Sequence, residues 1–330
     1  MAFDVRAATE ADRPEVAALV REMIPGVDVT SRLTWLYDHN PAGRALTWLA
    51  SEGGEVAGCT SYFPFMLTLD GQRVRAALGG DGYVRPKFRR RGLGGLLHDA
   101  ARSAMQSADI GCMYGAPGAM NVTPLKHGGS REVGHVARWV RPLRGAALGL
   151  RGGLLDRLVR GILRPRFVPY LDPMVRADPR VDEVWTAFAP TIRLGAVRDS
   201  TLYTWRFIEA PAHRELGYAI MLHGRPIGAC ALEAMNHGGT LRIVDLIAIP
   251  GTWHVCLSAI ARHAAETDAN IVDIKLMALD GRCRQMWRAG FLERDCKPFL
   301  VVIPVDGDRR FVDPMRWFYC GADSDLDSLA

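Results

Sequence analysis

The residues best suited to chemistry lie together in Val84-Arg85-Pro86-Lys87-Phe88-Arg89-Arg90-Arg91-Gly92-Leu93-Gly94-Gly95-Leu96-Leu97. An apolar run that reads as a strand precedes this segment, and apolar residues at helical spacing follow it, so it is a strand-to-helix turn. A helix N-terminus presents backbone N–H groups without carbonyl partners and a partial positive charge, which together suit a pyrophosphate. Gly92, Gly94 and Gly95 remove the Cβ atoms that would hold phosphate oxygens away from those amides. Arg89, Arg90 and Arg91 add attraction for an anion.

Three other side chains are candidates for proton transfer. Asp81, just before Val84, could take a proton from an attacking nucleophile directly or through water, and Tyr114 and His127 could donate to a leaving group. Each has a plainer reading: Asp81 as a bulge or turn residue, Tyr114 as a tyrosine at the rim of the core, His127 as a surface helix end. No Ser-His-Asp order appears, the nine histidines are dispersed, and no His/Cys cluster has metal-ligand spacing, so no metal is expected. The seven cysteines are odd in number and contain no C-x-x-C pair, which fits a reducing cytoplasm. No secretory signal and no apolar run long enough to span a bilayer is read from the sequence.

The elements that must hold the turn can be read around it. Thr9 is an N-cap candidate with Glu10 and Asp12 behind it, followed by Val16, Leu19, Val20 and Met23 at helical spacing. A helical or irregular stretch at 33–37 ends before Asn40-Pro41. Runs at 45–50, 56–65 and 74–84, separated by Gly-Gly and Asp-Gly turns, read as an antiparallel meander. After the turn come a helix at about 93–105, a strand at 110–114 and a Gly/Pro loop.

With those elements in place, Arg-x-x-Gly-x-Gly preceded by Val-x-Pro resembles the (Q/R)-x-x-G-x-(G/A) signature of the GNAT N-acetyltransferase superfamily. The Ala-Thr-Glu-Ala-Asp-Arg helix opening and the Gly-x-Val-Ala-Gly hairpin are similar to that family too, and together they cover about residues 3 to 136. The resemblance implies acetyl-CoA, or another acyl-CoA, as cosubstrate. Val84 would offer backbone hydrogen bonds to the pantetheine arm, the amides from Arg90 through Leu93 to Gly95 would hold the pyrophosphate, and the strand at 110–114 would splay away to admit the thioester. Asn121 resembles the asparagine that contacts pantetheine. The sequence departs from the family at Leu125-Lys126-His127-Gly128-Gly129-Ser130, where many members carry a tyrosine that protonates the departing thiolate.

The second half repeats the pattern in weaker form. Gly54-Glu55-Val56-Ala57-Gly58-Cys59 is echoed by Gly224-Arg225-Pro226-Ile227-Gly228-Ala229-Cys230, followed by a strand at 241–249, a helix at 255–266, a strand at 271–277 and a helix into Gly290-Phe291. The expected class is α+β with two GNAT-like domains, each a mixed, mostly antiparallel sheet flanked by helices. The expected boundaries are 1–140 for the acetyl-CoA-binding domain, 141–168 for a basic amphipathic linker helix and 169–330 for a degenerate copy. That copy carries Ile249-Pro250-Gly251-Thr252-Trp253-His254 in place of the glycine-rich turn, and is not expected to bind CoA.

Charge narrows the partners. Eight arginines and one aspartate lie between Arg138 and Arg166, so this segment accounts for the whole net charge of +5. Its apolar face could rest on the protein or make peripheral membrane contact through 143–166. Nucleic acid is disfavoured because no aromatic residue is interleaved with the arginines from 141 to 166. The leading expectation is an N-acyltransferase moving acetyl to a primary amine of a small molecule, such as an amino sugar or metabolite. The alternatives are a non-catalytic acyl-CoA sensor and an acetyltransferase acting on protein amines.

Overall fold

The computed structural model describes residues 3–117, 125–126, 128–144, 169–211, 215–235, 239–278 and 281–324; Asn121, His127 and segment 145–168 of the basic linker lie outside them. The chain divides into two compact units, 1–134 with 298–314 and 135–297 with 315–328. The expected boundaries treat each domain as contiguous, and here the structure differs. Residues 298–314, assigned by sequence to the second domain, group with the first.

In the first unit, Thr9 and Asp12 form a reciprocal cap: Asp12 accepts from the Thr9 backbone N–H at 2.7 Å and from its hydroxyl at 2.8 Å. Helix α1 (Arg13–Met23) follows and buries Val16, Leu19 and Val20. Short helix α2 (Val29–Arg32) runs into a π-helical segment, Leu33–Asp38, where sequence alone allowed only a helical or irregular stretch. Strands β1 (Asp4–Ala7), β2 (Leu46–Glu52), β3 (Glu55–Leu69) and β4 (Gln72–Val84) pair antiparallel in chain order. The turns between β2, β3 and β4 use Gly53, Gly54 and Gly71 at positive φ, which only glycine adopts without strain.

Helix α3 (Leu93–Met105) buries Leu93, Leu97, Ala101 and Met105 against Trp48, Ala50, Tyr62, Ala77 and Met113 on one sheet face. It returns the chain to β5 (Cys112–Gly115), which lies parallel to β4. The outer edge of β5 needs a partner, and residues 301–304 supply it by pairing antiparallel with Cys112 through Gly115. Phe311 packs beside Gly111, where a Cβ would stand 3.1 Å from its ring.

The second unit repeats the order. Strand β6 (Arg131–Pro142) enters it, followed by β7 (Tyr170–Pro173), helix α4 (Pro179–Phe188), β8 (Leu194–Ala196) and helix α5 (Ser200–Phe207). Strands β9 (Glu215–Leu222), β10 (Arg225–Met235) and β11 (Thr240–Ala248) form an antiparallel meander, helix α6 (Trp253–Ala265) follows, and β12 (Ile271–Ala278) returns parallel to β11. The outer edge of β12 pairs with residues 137–142 of β6. Helix α7 (Arg282–Arg288), strand β13 (Leu292–Pro304) and strand β14 (Phe318–Cys320) complete the described chain. Each unit therefore closes its sheet with a strand that the sequence order assigns to the other. Neither is a contiguous stretch.

Candidate functional site

Two features of the first unit converge on the glycine-rich turn. The first is an opening in its sheet. Parallel pairing of β4 with β5 covers only Ala76, Ala77 and Leu78 against Cys112, Met113 and Tyr114. Beyond Leu78, residues 79–84 keep β3 on one side and have no strand partner on the other among the described residues. Gly79, Gly80 and Gly82 lie in that stretch, which leaves an edge of backbone N–H and C=O groups facing a slot.

The second feature is the turn itself. Gly92 caps α3 with φ of 79°, a left-handed conformation that favours glycine. The first bonds into the helix are Gly95 N–H and Leu96 N–H to Gly92 O, at 3.1 and 3.2 Å. The N–H groups of Arg90 through Gly94 therefore donate to no backbone carbonyl among the described residues. Gly94 and Gly95 have no positive φ to explain them, and a Cβ on Gly92, Gly94 or Gly95 would meet nothing within 4 Å. Glycine costs a helix up to about 1 kcal/mol per residue relative to alanine. Among the described residues no contact requires glycine at 94 or 95, whereas a ligand seated on the amides would.

The arginines divide their work in a way the sequence did not reveal. Arg91 is paired through two hydrogen bonds with Glu52, at 2.8 and 2.6 Å, and this pairing holds the Glu52 carboxyl below its ordinary value. Arg89 Nε donates to Val84 O at 2.8 Å, so the carbonyl expected to serve pantetheine is taken by a side chain that must swing away first. Arg90 is exposed, with φ of 61° and no side-chain partner among the described residues. Positive charge at the turn thus comes from Arg89 and Arg90, and Arg91 is neutralised locally.

Asp81 departs most from expectation. It sits in a bulge, with Asp81 and Gly82 opposite the single residue Thr60, and is 5% exposed. Arg32 donates Nη2 to Oδ1 at 2.6 Å and Nε to Oδ2 at 3.1 Å, and Tyr37 Oη donates to Oδ2 at 2.7 Å. Burial and the adjacent carboxylate push the Tyr37 phenol well up. A carboxylate engaged by three donors and shut from solvent fits a structural anchor better than a general base.

The second unit supports that correction. Arg85 N–H bonds Ala57 O at 2.9 Å, and Ile249 N–H bonds Ile227 O at 2.9 Å, which aligns the two meanders and makes Asp245 the counterpart of Asp81. Asp245 accepts from Arg198 Nε at 2.9 and 3.2 Å. Burial and the Asp245 carboxylate push the Tyr203 phenol up, as happens at Tyr37. Arg32 and Tyr37 stand at the same spacing as Arg198 and Tyr203. Sequence reading missed this repeated Arg-x4-Tyr with its distant aspartate, although the residues were visible. Its presence in the unit without a glycine-rich turn ties it to the fold rather than to chemistry.

Tyr114 is buried at the point where β4 and β5 part, on the strand face opposite Met113 and therefore opposite α3. Asn121 and His127 lie outside the described residues. A pair on the α3 face of the sheet went unnoticed in the sequence: Tyr62 Oη lies 2.7 Å from His98 Nδ1, and both residues are buried.

The second unit fills its equivalent opening with its own chain. Pairing of β11 with β12 ends at Ile243 and Ile274, and farther along β12 the strand β14 pairs in, Leu276 to Cys320, Met277 to Tyr319 and Ala278 to Phe318. Phe318, Tyr319 and Cys320 are buried, Cys320 Sγ donates to Asp245 Oδ1 at 2.8 Å, and Arg198 Nη2 donates to Asp323 Oδ2 at 2.6 Å. At the turn, Trp253 is buried and Thr252 Oγ1 is satisfied by Ile227 O and Ile249 O. Among the described residues no strand enters the first slot, whereas the second is occupied by an extended peptide.

Residues 4–123 match the model of the acetyltransferase (GNAT) domain family. This segment is a GNAT domain. The fold of nearly the whole chain is similar to a GCN5-related N-acetyltransferase from Anabaena variabilis, 16% identical, with a TM-score of 0.68 over 92% of this chain and 73% of that one. It is similar also to a conserved Enterococcus faecalis protein described as a probable N-acyltransferase, 13% identical, TM-score 0.69, covering 93% and 73%. A third likeness is to Saccharomyces cerevisiae N-myristoyltransferase with bound myristoyl-CoA, 12% identical, TM-score 0.56, covering 91% and 82%. No curated protein matches the sequence. The GNAT domain holds the turn and the slot that no described strand fills, and the α+β class with two similar units agrees with the expected architecture. Among the described residues no helix is long and apolar enough to cross a membrane, and no group of three or more His, Cys, Asp or Glu could hold a metal.

Proposed function

We propose that the GNAT domain binds an acyl-CoA, with acetyl-CoA as the expected donor, and transfers its acyl group to a primary amine of a small molecule by direct attack in a ternary complex. The observation that carries this reading is the contrast between the two slots. In the second unit the gap between diverging parallel strands takes an extended chain bearing amide groups. Pantetheine is such a chain, with two amides, and the open edge at 79–84 offers it strand-like backbone partners. The bare amides of Arg90 through Gly94 lie where that edge meets α3, so a pyrophosphate at the turn directs its pantetheine arm along the slot.

Acyl-CoA supplies an activated acyl carbon and a thiolate leaving group. The residues of this chain seat the diphosphate, hold the arm extended and place the thioester near Gly79 and Gly80, where the sheet parts. Asp81 takes no proton, so the amine proton leaves through water or a group contributed by the acceptor side. A non-catalytic acyl-CoA-binding role is the second reading, favoured by the full engagement of Asp81.

Release of CoA thiol from acetyl-CoA, measured across aminoglycosides, polyamines, amino acids and arylamines, separates the two. Transfer to at least one class, with the N-acetyl product found by mass spectrometry, is expected. CoA binding without turnover on any amine would favour the second reading. Burial pushes the Cys59 and Cys256 thiols up to about 12, so their contribution to a thiol assay stays small near neutral pH.

A further inference from the structure

The proposed donor site leaves the thiolate without the tyrosine that the resemblance leads one to seek near residue 127, and the fold supplies another phenol at the slot. Tyr62 lies on β3 directly opposite Gly79, the first residue past the end of β4–β5 pairing. Its Cε1 is 3.3 Å from the point where a Cβ on Gly79 would stand, so glycine at 79 lets the ring lie against the opening, with the phenol oxygen two bonds beyond that carbon. His98 on α3 holds the phenol through its Nδ1 at 2.7 Å. His98 is itself seated by Gly128, where a Cβ would come within 2.6 Å of its ring. The other ring nitrogen, Nε2, is buried with no hydrogen-bond partner among the described residues. Burial lowers the His98 pKa and raises that of Tyr62, which favours the neutral form of each.

Resting on the reading of the slot as an acyl-CoA site, we infer that Tyr62 is the hydrogen-bond donor to the departing sulfur and that His98 is its positioning residue. With Nδ1 protonated, His98 donates to Tyr62 Oη, the Thr60 hydroxyl donates to the same oxygen, and the phenol hydrogen points to the sulfur. As the amine lone pair forms the C–N bond, the C–S bond breaks and its electron pair stays on sulfur. The amine proton passes to water, and the thiolate, held by the Tyr62 O–H, later takes a proton from water. The phenol donates throughout and is not consumed, which suits a group whose proton is held tightly. Developing negative charge next to a fixed donor in a dry site is the situation in which one hydrogen bond counts most.

The thiol of bound CoA reports this directly and needs no acceptor. Its titration is followed by thiolate ultraviolet absorbance, as the difference between protein with CoA and protein with desulfo-CoA. The wild-type protein is expected to lower the thiol pKa by about one unit from that of free CoA, about tenfold more thiolate at a given pH. Tyr62→Phe and His98→Leu should return it to the free value, while His98→Asn, which keeps a donor near the Nδ1 position, retains most of the shift. Circular dichroism and CoA affinity show that each variant is folded and loaded. Equal titration in wild type and Tyr62→Phe, with CoA bound to both, would overturn the inference and leave the donor site standing. Failure of wild type to bind CoA would instead remove the site on which the inference rests.

Discussion

Replacing Gly94 by glutamate is expected to leave the protein as stable as wild type, or about 0.5–1 kcal/mol more stable, while weakening CoA binding roughly a hundredfold or more. The two effects have opposite signs because they act on different things. Gly94 is exposed, has no positive φ, and a Cβ there meets nothing within 4 Å, so a side chain costs the fold no contact. Glutamate is the better helix former, and an acidic residue in the first turn suits the helix dipole. The same carboxylate stands where the diphosphate must sit, and two like charges about 4 Å apart repel by about 4 kcal/mol near a protein surface. Thermal unfolding and calorimetric titration with CoA read both quantities. A stable variant with wild-type affinity would move the diphosphate away from this turn. Gly92 is the poorer test, because its φ of 79° adds backbone strain to any substitution.

Asp81→Asn should have the largest effect on stability, about 3–5 kcal/mol, because it leaves the Arg32 guanidinium buried beside a neutral amide. A general base would behave in the reverse way, losing about a hundred- to ten-thousandfold in kcat with the fold intact. The expected outcome is a large drop in Tm with less than about a tenfold fall in kcat for the fraction that remains folded. Asp245→Asn, at the matching position of the second unit, should destabilise less, since the buried Arg198 keeps Asp323 as a second carboxylate partner. A stable but inactive Asp81→Asn would restore Asp81 as the base.

How much of this was legible in the sequence depends on how local each signal is. The turn, the helix it opens and the strand before it were readable because glycine, arginine and apolar spacing act within a few residues. The repeat was visible in one short echo, Gly54 to Cys59 against Gly224 to Cys230, and both echoes are hairpins in the structure. The exchanged closing strands were not legible. Nothing in the composition of residues 301–304 says which sheet edge they cover, because an apolar strand fits either. Asp81 misled for a related reason. A carboxylate near a cofactor turn looks catalytic until its partners are known, and Arg32 and Tyr37 come from a helical segment far earlier in the chain. Tyr62 and His98 read as core positions on a strand and a helix, and only the register that sets Tyr62 opposite Gly79 brings them to the slot. The place of Phe318-Tyr319-Cys320 inside the second slot was not legible either, because it depends on the pairing of β14 with β12.

The most direct test of the two-slot contrast is calorimetric titration of the full-length protein with CoA, repeated in the presence of inorganic pyrophosphate. One equivalent of CoA per chain, displaced by pyrophosphate, is the expected result for a single open slot and a single bare turn. Two equivalents would mean that the segment ending the second unit does not close its slot. No binding at all would contradict the reading of the turn around Gly92.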